Sequence, residues 1–565
     1  MIDSAARRRE IDCLILGGGI TGAGVARDAA MRGLRVMLVD SHDFASGTSH
    51  LTSKLVHGGL RYLEHGRFRL VMEGIVERDR LLNRLAPTLV FPLRFVIPFE
   101  PTQVPKWLFT VAGLQFYGFI EWIRGGRRST YMLRRQLKRR YPHLRDSTMA
   151  ASFWDAQTND ARLVISTLRT ARVAGAELHN YTKITAARFE GGAWTVDLYC
   201  PVEAREWTVR TRSVVNATGP WSPLTAERFG APHAELMWIK GSHIVMRRPE
   251  RFGRDAIVIR SVLNRRPLWV VPWYHRLIVG STESMYAGEL RNVRASPEEI
   301  EDLFESVRRW FPSWSVTRGD ICGAYAGVRP IIDQASESAN RASREHRIET
   351  DAARGIITIS GGKLTTFRRM AEQTVDAVEA MLHRGRTADA LRKRLRREPL
   401  WPRMSRKGAA GMHKALAPRA RHLDIGPNQL AHLVGHYGED ASLILADVAI
   451  DRRSGRPLID GLPHCLAEVA YLCRHEHVRH LVDVMKRRMP MYFLADLASL
   501  ERVVPMMAET VGVALGWDSA RCDREGDMLM NDHASDLGGL GSTASTVDDL
   551  VHAQMAPTEP ARAGS

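Results

Sequence analysis

Three sets of residues in this 565-residue chain have the types and spacing to do chemistry. The first is Gly17, Gly19 and Gly22, placed after a short apolar run (CLIL) and before a small-residue helix, with Asp40 at the end of a second apolar run, VMLV. Gly-x-Gly-x-x-Gly in that setting is a dinucleotide fingerprint. The first glycine permits a tight turn, the second lets a pyrophosphate approach the backbone, and the third lets the helix close on the sheet. The phosphate then sits on a helix N-terminus, where N–H groups and the helix dipole favour negative charge. Thr21 lies in this turn, and Asp40 is placed to accept hydrogen bonds from an adenosine ribose. The second set is His243, in a Gly-Ser-His turn at a strand edge, able to take or orient a hydroxyl proton. The third is cationic. Arg61, Arg329 and Arg344 carry the planar fork that holds phosphate oxygens, with Tyr62 beside the first of them. Lys363, in the turn Gly361-Gly362-Lys363, offers positive charge to a cofactor or substrate, or holds the turn.

Ile11 to Asp40 reads as strand, turn, helix, strand. A second strand, SVVN, runs into Ala217-Thr218-Gly219, and Ile356 to Leu382 is again strand, glycine turn, helix. The segment SVVNATGPW, Ser213 to Trp221, resembles the second nucleotide-contacting strand of flavoproteins with two dinucleotide-binding domains. Three separated turns suit an elongated FAD better than NAD. HIVMRR, AIVIRS, LWVVPWY and RLIVGS read as a mixed sheet interrupted by a helix from Pro297 to Trp310. The expected fold is α/β (α+β overall): a Rossmann-like FAD-binding domain from segments 10–90, 151–230 and 341–390, an inserted mixed-sheet substrate or cap domain from 91–150 and 231–340, and an all-α C-terminal domain over 391–531. Leu391 to Arg403 has the charge of a linker, and residues 532–565 have the composition of a disordered tail.

Eighty Lys and Arg against 63 Asp and Glu give a charge of +17, which suits a phosphorylated substrate or an acidic membrane surface. No nucleic-acid partner is expected, since aromatics are not interleaved with the basic runs. Six cysteines without ligand spacing read as reduced packing residues of a cytosolic protein, and the N-terminus shows no secretory signal. Trp107 to Ile123 is at the lower limit of a membrane span and suits an interfacial helix or a buried one. No metal is expected. His477 and His480 are spaced to share a helix face near His475, without a surrounding ligand set.

Five blocks, SKLVHGGLRYLEHG, NATGPW, KGSHIV, GVRP and GGKLTTFR, look like aerobic FAD-dependent glycerol-3-phosphate dehydrogenase, in collinear order from about residue 10 to about residue 530. The resemblance implies oxidation of sn-glycerol 3-phosphate to dihydroxyacetone phosphate, electrons passed to a quinone, and peripheral attachment to the inner face of the cell membrane, with a homodimer expected. It implies cofactor contacts at Thr48 and Ser49, just before the first block, and at Ser53, Lys54, Leu55, Gly58 and Gly59 within it. In later blocks it adds Ala217, Thr218 and Gly219, then Gly361, Gly362, Lys363, Leu364 and Thr365. Substrate contacts fall to Arg61, Tyr62, His243, Arg329 and Arg344, and the catalytic roles to His243, Arg329, Lys363 and Arg61. Three positions depart from the family pattern: Thr282-Glu283 where Thr-Asp is usual, Asp40 where Glu is common, and Thr21 for a common Asn. Two competing readings are an oxygen-using amine or hydroxy-acid oxidase of the same superfamily and a non-catalytic flavin-binding sensor.

Overall fold

The computed structural model describes residues 9–59, 68–99, 118, 129–147, 149–250, 252–291, 293–332, 345–385 and 387–538. Arg61, Tyr62, Arg344 and all of 107–123 except Gly118 lie outside the described residues.

The dinucleotide unit is the centre of a six-stranded sheet ordered His346–Asp351, Ile356–Gly361, Val214–Asn216, Cys13–Leu16, Val36–Val39, Glu177–His179. All neighbours in it run parallel except the first pair. Parallel strands covered on both faces read as unbroken apolar runs, and CLIL and VMLV are wholly buried because helices cover one face and a four-stranded sheet the other. The helix Ile20–Met31 has little amphipathic character because it too is enclosed, packed between helices Asp160–Val173 and Phe367–Met381. Its small residues permit that: a Cβ on Gly24 would lie 2.9 Å from the Phe367 ring.

A ten-stranded sheet forms the second layer, ordered Ser284–Met285, Leu236–Arg247, Arg276–Gly280, Pro267–Trp273, Ala256–Arg260, Val90–Phe99, Met149–Thr158, Leu55–Val56, with Ile321–Ile332 beside Leu236–Arg247 and Thr130–Leu133 beside Met149–Thr158. Residues 151–158 and 55–56, within the segments expected to form the FAD-binding domain, pair in this sheet and not in the nucleotide sheet. The run EWTVRTRSVVN holds two strands in different sheets. Arg205–Thr211 joins a separate four-stranded sheet and Val214–Asn216 the nucleotide sheet. The helix Pro297–Trp310 starts where Ser296 accepts from Glu299 N at 3.3 Å, while Glu299 returns a bond to Ser296 N at 3.0 Å. Glu299 also accepts from Ser242 Oγ at 2.7 Å, tying this helix to the strand that carries His243.

Beyond residue 400 the described chain is helical, from Arg406–His422 to Ser519–Gly538. Three sequence expectations are corrected here. Residues 532–538 are not tail: they end the last helix, with Asp532 and His533 buried. The basic run after Leu391 is not a solvated linker, because Arg396 pairs with Glu372 at 2.6 Å and Arg392 with Asp376 at 2.8 Å. The histidines share no helix face: the helix Leu466–His475 ends before His477, whose φ is +54°, and His480 Nδ1 meets Glu525 at 2.7 Å.

Candidate active site

At the carboxyl ends of the nucleotide-sheet strands lies a cavity of about 550 Å³. This is where open α/β sheets bind ligands, because every strand-to-helix turn opens there. All three sequence-predicted turns meet in its wall: Gly17, Gly19 and Thr21; Ala217, Thr218 and Gly219; and Gly361 to Leu364. Asp40, Thr48 and Ser49 line it as well. Gly22 does not line it, but a Cβ there would lie 1.9 Å from the Gly17 carbonyl, so only glycine allows the helix to start against the turn. Gly19 provides no side-chain cap for this helix, and Ser49 Oγ accepts from Ile20 N at 3.0 Å. Asp40 Oδ2 accepts from Gly18 N at 2.6 Å and Oδ1 from His42 N at 2.9 Å. Burial outweighs those two bonds and pushes its carboxyl up to about 6.

The groups fit an FAD. A helix N-terminus faces a pyrophosphate position, a carboxylate faces a ribose position, and a Cβ added at Gly219 would meet nothing within 4 Å, which leaves the cavity floor open there.

The remaining predicted contacts stand behind the wall. Lys54 points away from the cavity: its ammonium is buried, donating to Asp160 at 2.7 Å and to the His50 carbonyl at 2.5 Å. Thr52 donates to the same Asp160 at 2.7 Å, so the loop after Asp40 is tied down at both ends of one carboxylate. Gly58 N donates to Asp155 at 3.0 Å, and Thr365 Oγ1 exchanges bonds with the backbone of His57 at 3.1 and 3.2 Å. Leu55 pairs in the large sheet, and Gly59 has φ +82°.

His243 and Arg329 stand on the large sheet, on strands Leu236–Arg247 and Ile321–Ile332, which pair antiparallel with His243 opposite Tyr325 and Ile239 opposite Arg329. Gly241-Ser242-His243 is therefore not a turn at a strand edge but the middle of a strand, with His243 also paired to Gly280 on its other side. Two glycines make room for them. A Cβ on Gly280 would lie 2.4 Å from the His243 ring, and one on Gly241 would lie 2.7 Å from the Arg329 guanidinium. The strand reaches the cofactor cavity through Pro330, and Thr48 Oγ1 donates to the Val328 carbonyl at 2.7 Å. His243 Nε2 lies 2.9 Å from Ser53 Oγ, and its buried Nδ1 has no hydrogen-bond partner among the described residues. Burial, then Arg329 and Lys54, hold its pKa well below the usual imidazole value, so it is neutral at pH 7. Arg329 donates to Ser281 Oγ at 2.6 Å and lies 4.0 Å from Glu283, which also pairs with Arg266 at 3.0 Å. Glu283, one of the departures from the family pattern, therefore belongs to the neighbourhood of the phosphate candidate.

Sequence reasoning did not single out Thr52, Thr182, Lys183, Trp221, Arg228 or Arg291, all of which line the cavity. Trp221 stands inside the quoted NATGPW block. Thr182 and Lys183 arrive because Glu177–His179 pairs with Val36–Val39 and its following loop opens on the same edge, a relation carried by topology rather than motif.

Residues 12–368 match the family described as FAD dependent oxidoreductase, and residues 403–522 the C-terminal domain of alpha-glycerophosphate oxidase. The aerobic glycerol-3-phosphate dehydrogenase of Escherichia coli is 31% identical, the match covering 84% of this chain and 93% of that one. The chain belongs to the FAD-dependent glycerol-3-phosphate dehydrogenase family. Another relative of this family member, D-erythritol 1-phosphate dehydrogenase of Brucella abortus, is 32% identical over 85% of this chain and 94% of its own. The fold matches that of the glycerol-3-phosphate dehydrogenase from Bacillus halodurans solved with FAD (TM-score 0.76, 24% identity, 95% and 97% of the two chains). As an FAD-dependent oxidoreductase of this family, the protein uses FAD, with the Rossmann-like domain and helical C-terminal domain expected from its sequence.

Proposed function

We propose that this family member oxidises sn-glycerol 3-phosphate to dihydroxyacetone phosphate, and that His243 and Arg329 do the protein's part of the chemistry. The supporting observation is the meeting of a cofactor cavity with the large sheet, whose strands carry a neutral, buried imidazole and an arginine. Bound FAD would supply the hydride acceptor. The substrate hydroxyl takes the place of Ser53 at His243 Nε2, which accepts its proton as the carbon loses hydride. Arg329 holds the phosphate, with Arg61, Tyr62 and Arg344, outside the described residues, as further contacts. Lys363, in the cavity wall, adds positive charge where the reduced cofactor gathers negative charge. Gly58 and Gly59 bring backbone toward the flavin side, and Gly17, Gly19, Thr21, Asp40 and Ser49, in the cavity wall, hold the ADP half.

The electron acceptor is a quinone, reached by peripheral attachment of a homodimer to the inner face of the cell membrane. The charge of +17 supports an anionic bilayer as the docking surface. No helix among the described residues is long and apolar enough to cross a membrane.

The Brucella abortus relative's name favours a second reading in which a longer polyol phosphate is the substrate, and Glu283 beside Arg329 is where the two would be told apart. Comparing kcat/KM for sn-glycerol 3-phosphate and D-erythritol 1-phosphate, with a soluble quinone or oxygen as acceptor, tests both points. Preference for the three-carbon substrate with quinone is expected. Preference for the four-carbon substrate, or oxygen turnover with stoichiometric peroxide matching the quinone rate, would overturn the respective assignment.

A further inference from the structure

The His243 ring is enclosed by side chains from distant parts of the chain. Gly280 passes one side, and on another Tyr325 stacks with ring centres 4.7 Å apart and planes 14° apart. The Tyr325 hydroxyl donates to the Thr52 carbonyl at 3.0 Å. The next residue, Ser53, meets His243 Nε2 at 2.9 Å, so a closed circuit runs from imidazole to phenol to cofactor loop and back. Behind Tyr325, Phe493 from the short helix Met491–Leu494 of the C-terminal domain packs edge-on at 5.2 Å and 63°. The following carbonyl, Leu494, accepts from Arg276 Nε at 2.7 Å, on the strand next to that of His243. Tyr325 and Phe493 are 3% and 2% exposed.

Resting on the reading of His243 as proton acceptor, we propose that Tyr325 is a positioning residue for that proton transfer and that Phe493 makes the helical C-terminal domain part of the same apparatus. Neither has to touch substrate. A stacked, hydrogen-bonded phenol fixes the plane of the imidazole, and misplacing a reacting group by about 1 Å can cost on the order of 100-fold in rate. The same ring keeps water from the imidazole. The charged groups acting on His243 are Arg329 and Lys54, the latter paired with Asp160; Ser53 and Tyr325 meet it as neutral partners. Tyr325 stays protonated because burial, then Asp160, raise its pKa well above the ordinary phenol value. Truncating the ring admits water and relaxes the largest contribution holding the imidazole neutral.

The experiment uses the FAD-loaded full chain and compares pH profiles of kcat and KM for the parent, Tyr325→Leu, Tyr325→Phe and His243→Ala, with sn-glycerol 3-phosphate as substrate. The substrate's own phosphate ionisation is common to all and cancels in the comparison. For Tyr325→Leu, the acid limb should move up toward the free imidazole value of about 6.5, and kcat should fall about tenfold or more with KM nearly unchanged. Tyr325→Phe, which keeps the stacked ring, should restore the parent's acid limb. Should Tyr325→Leu fail to retain FAD, Phe493→Leu serves in its place and should move the limb in the same direction by less. An unmoved acid limb, or a loss carried by KM, would overturn the positioning role. If His243→Ala turns over like the parent, the reading of His243 as proton acceptor fails instead.

Discussion

Arg329 and Asp40 show how far one residue's chemistry can be set by its neighbours. Arg329 lies over Gly241 with one nitrogen on Ser281, a geometry that uses the planar fork. Arg329→Lys keeps the charge and loses the fork, so KM for the phosphorylated substrate should rise at least tenfold with a smaller change in kcat. An unchanged KM would remove Arg329 from the phosphate site. Asp40 makes a different prediction. With its carboxyl pushed up to about 6, it is ionised at pH 7 and largely protonated at pH 5, and only the ionised form accepts from both ribose hydroxyls. FAD should bind several-fold more weakly at pH 5 than at pH 7 by fluorescence titration, and Asp40→Asn should flatten that dependence. A flat profile in the parent would place the ribose elsewhere. Asp40 and the glycines were legible in the sequence because their roles depend on local geometry. The roles of Lys54 and Ser53 were not: one is turned away by Asp160 and the other turned toward His243 by contacts more than 100 residues distant in sequence.

Between elements, buried ion pairs tie the C-terminal helices to the cofactor loop and to the helix Asp160–Val173. Glu476 receives Arg162 at 2.6 and 2.8 Å, and Asp43, three residues after Asp40, receives Arg487 Nε at 2.5 Å and Arg488 Nη2 at 2.9 Å. Burial alone would raise the Glu476 carboxyl, but Arg162 and Arg169 hold it down to about 2. Its folded value lies below its unfolded value near 4.5, so its stabilisation is present above pH 4.5 and is lost as pH falls toward 2. Glu476→Gln leaves Arg162 buried without its anion and should cost about 3 kcal/mol in urea unfolding at pH 7. It should also weaken the dependence of stability on pH between 4.5 and 2; a loss under 1 kcal/mol would mean that water or another anion serves Arg162 as well. None of these pairs carries a sequence motif. Basic and acidic residues at such separations read as solvated surface until the helices are packed, which is why the arginines after Leu391 looked like a linker. Strand and helix identities fared better because period and turn chemistry are local, while the allotment of strands to three sheets depends on pairings across the chain.

At the scale of the whole molecule, the nucleotide sheet and the large sheet meet along the loop from Asp40 to Ser53, and the C-terminal helices close over its back. That arrangement gives the domain beyond residue 400 a physical tie to the site through Asp43 and Phe493. The cofactor half of the site was readable in advance because three glycine turns announce it. The substrate half was only partly so, since one histidine among 21 and one arginine among many gain meaning only when the sheet sets them beside the cavity. Together this cavity and the large-sheet strands that carry His243 and Arg329 account for the proposed oxidation of sn-glycerol 3-phosphate on FAD. The most direct measurement is an anaerobic visible spectrum of the FAD-loaded protein before and after that substrate is added, followed by a quinone analogue. Bleaching of the flavin band by substrate and its recovery with the quinone are predicted. A fully loaded flavin that sn-glycerol 3-phosphate leaves unbleached would contradict the proposed oxidation.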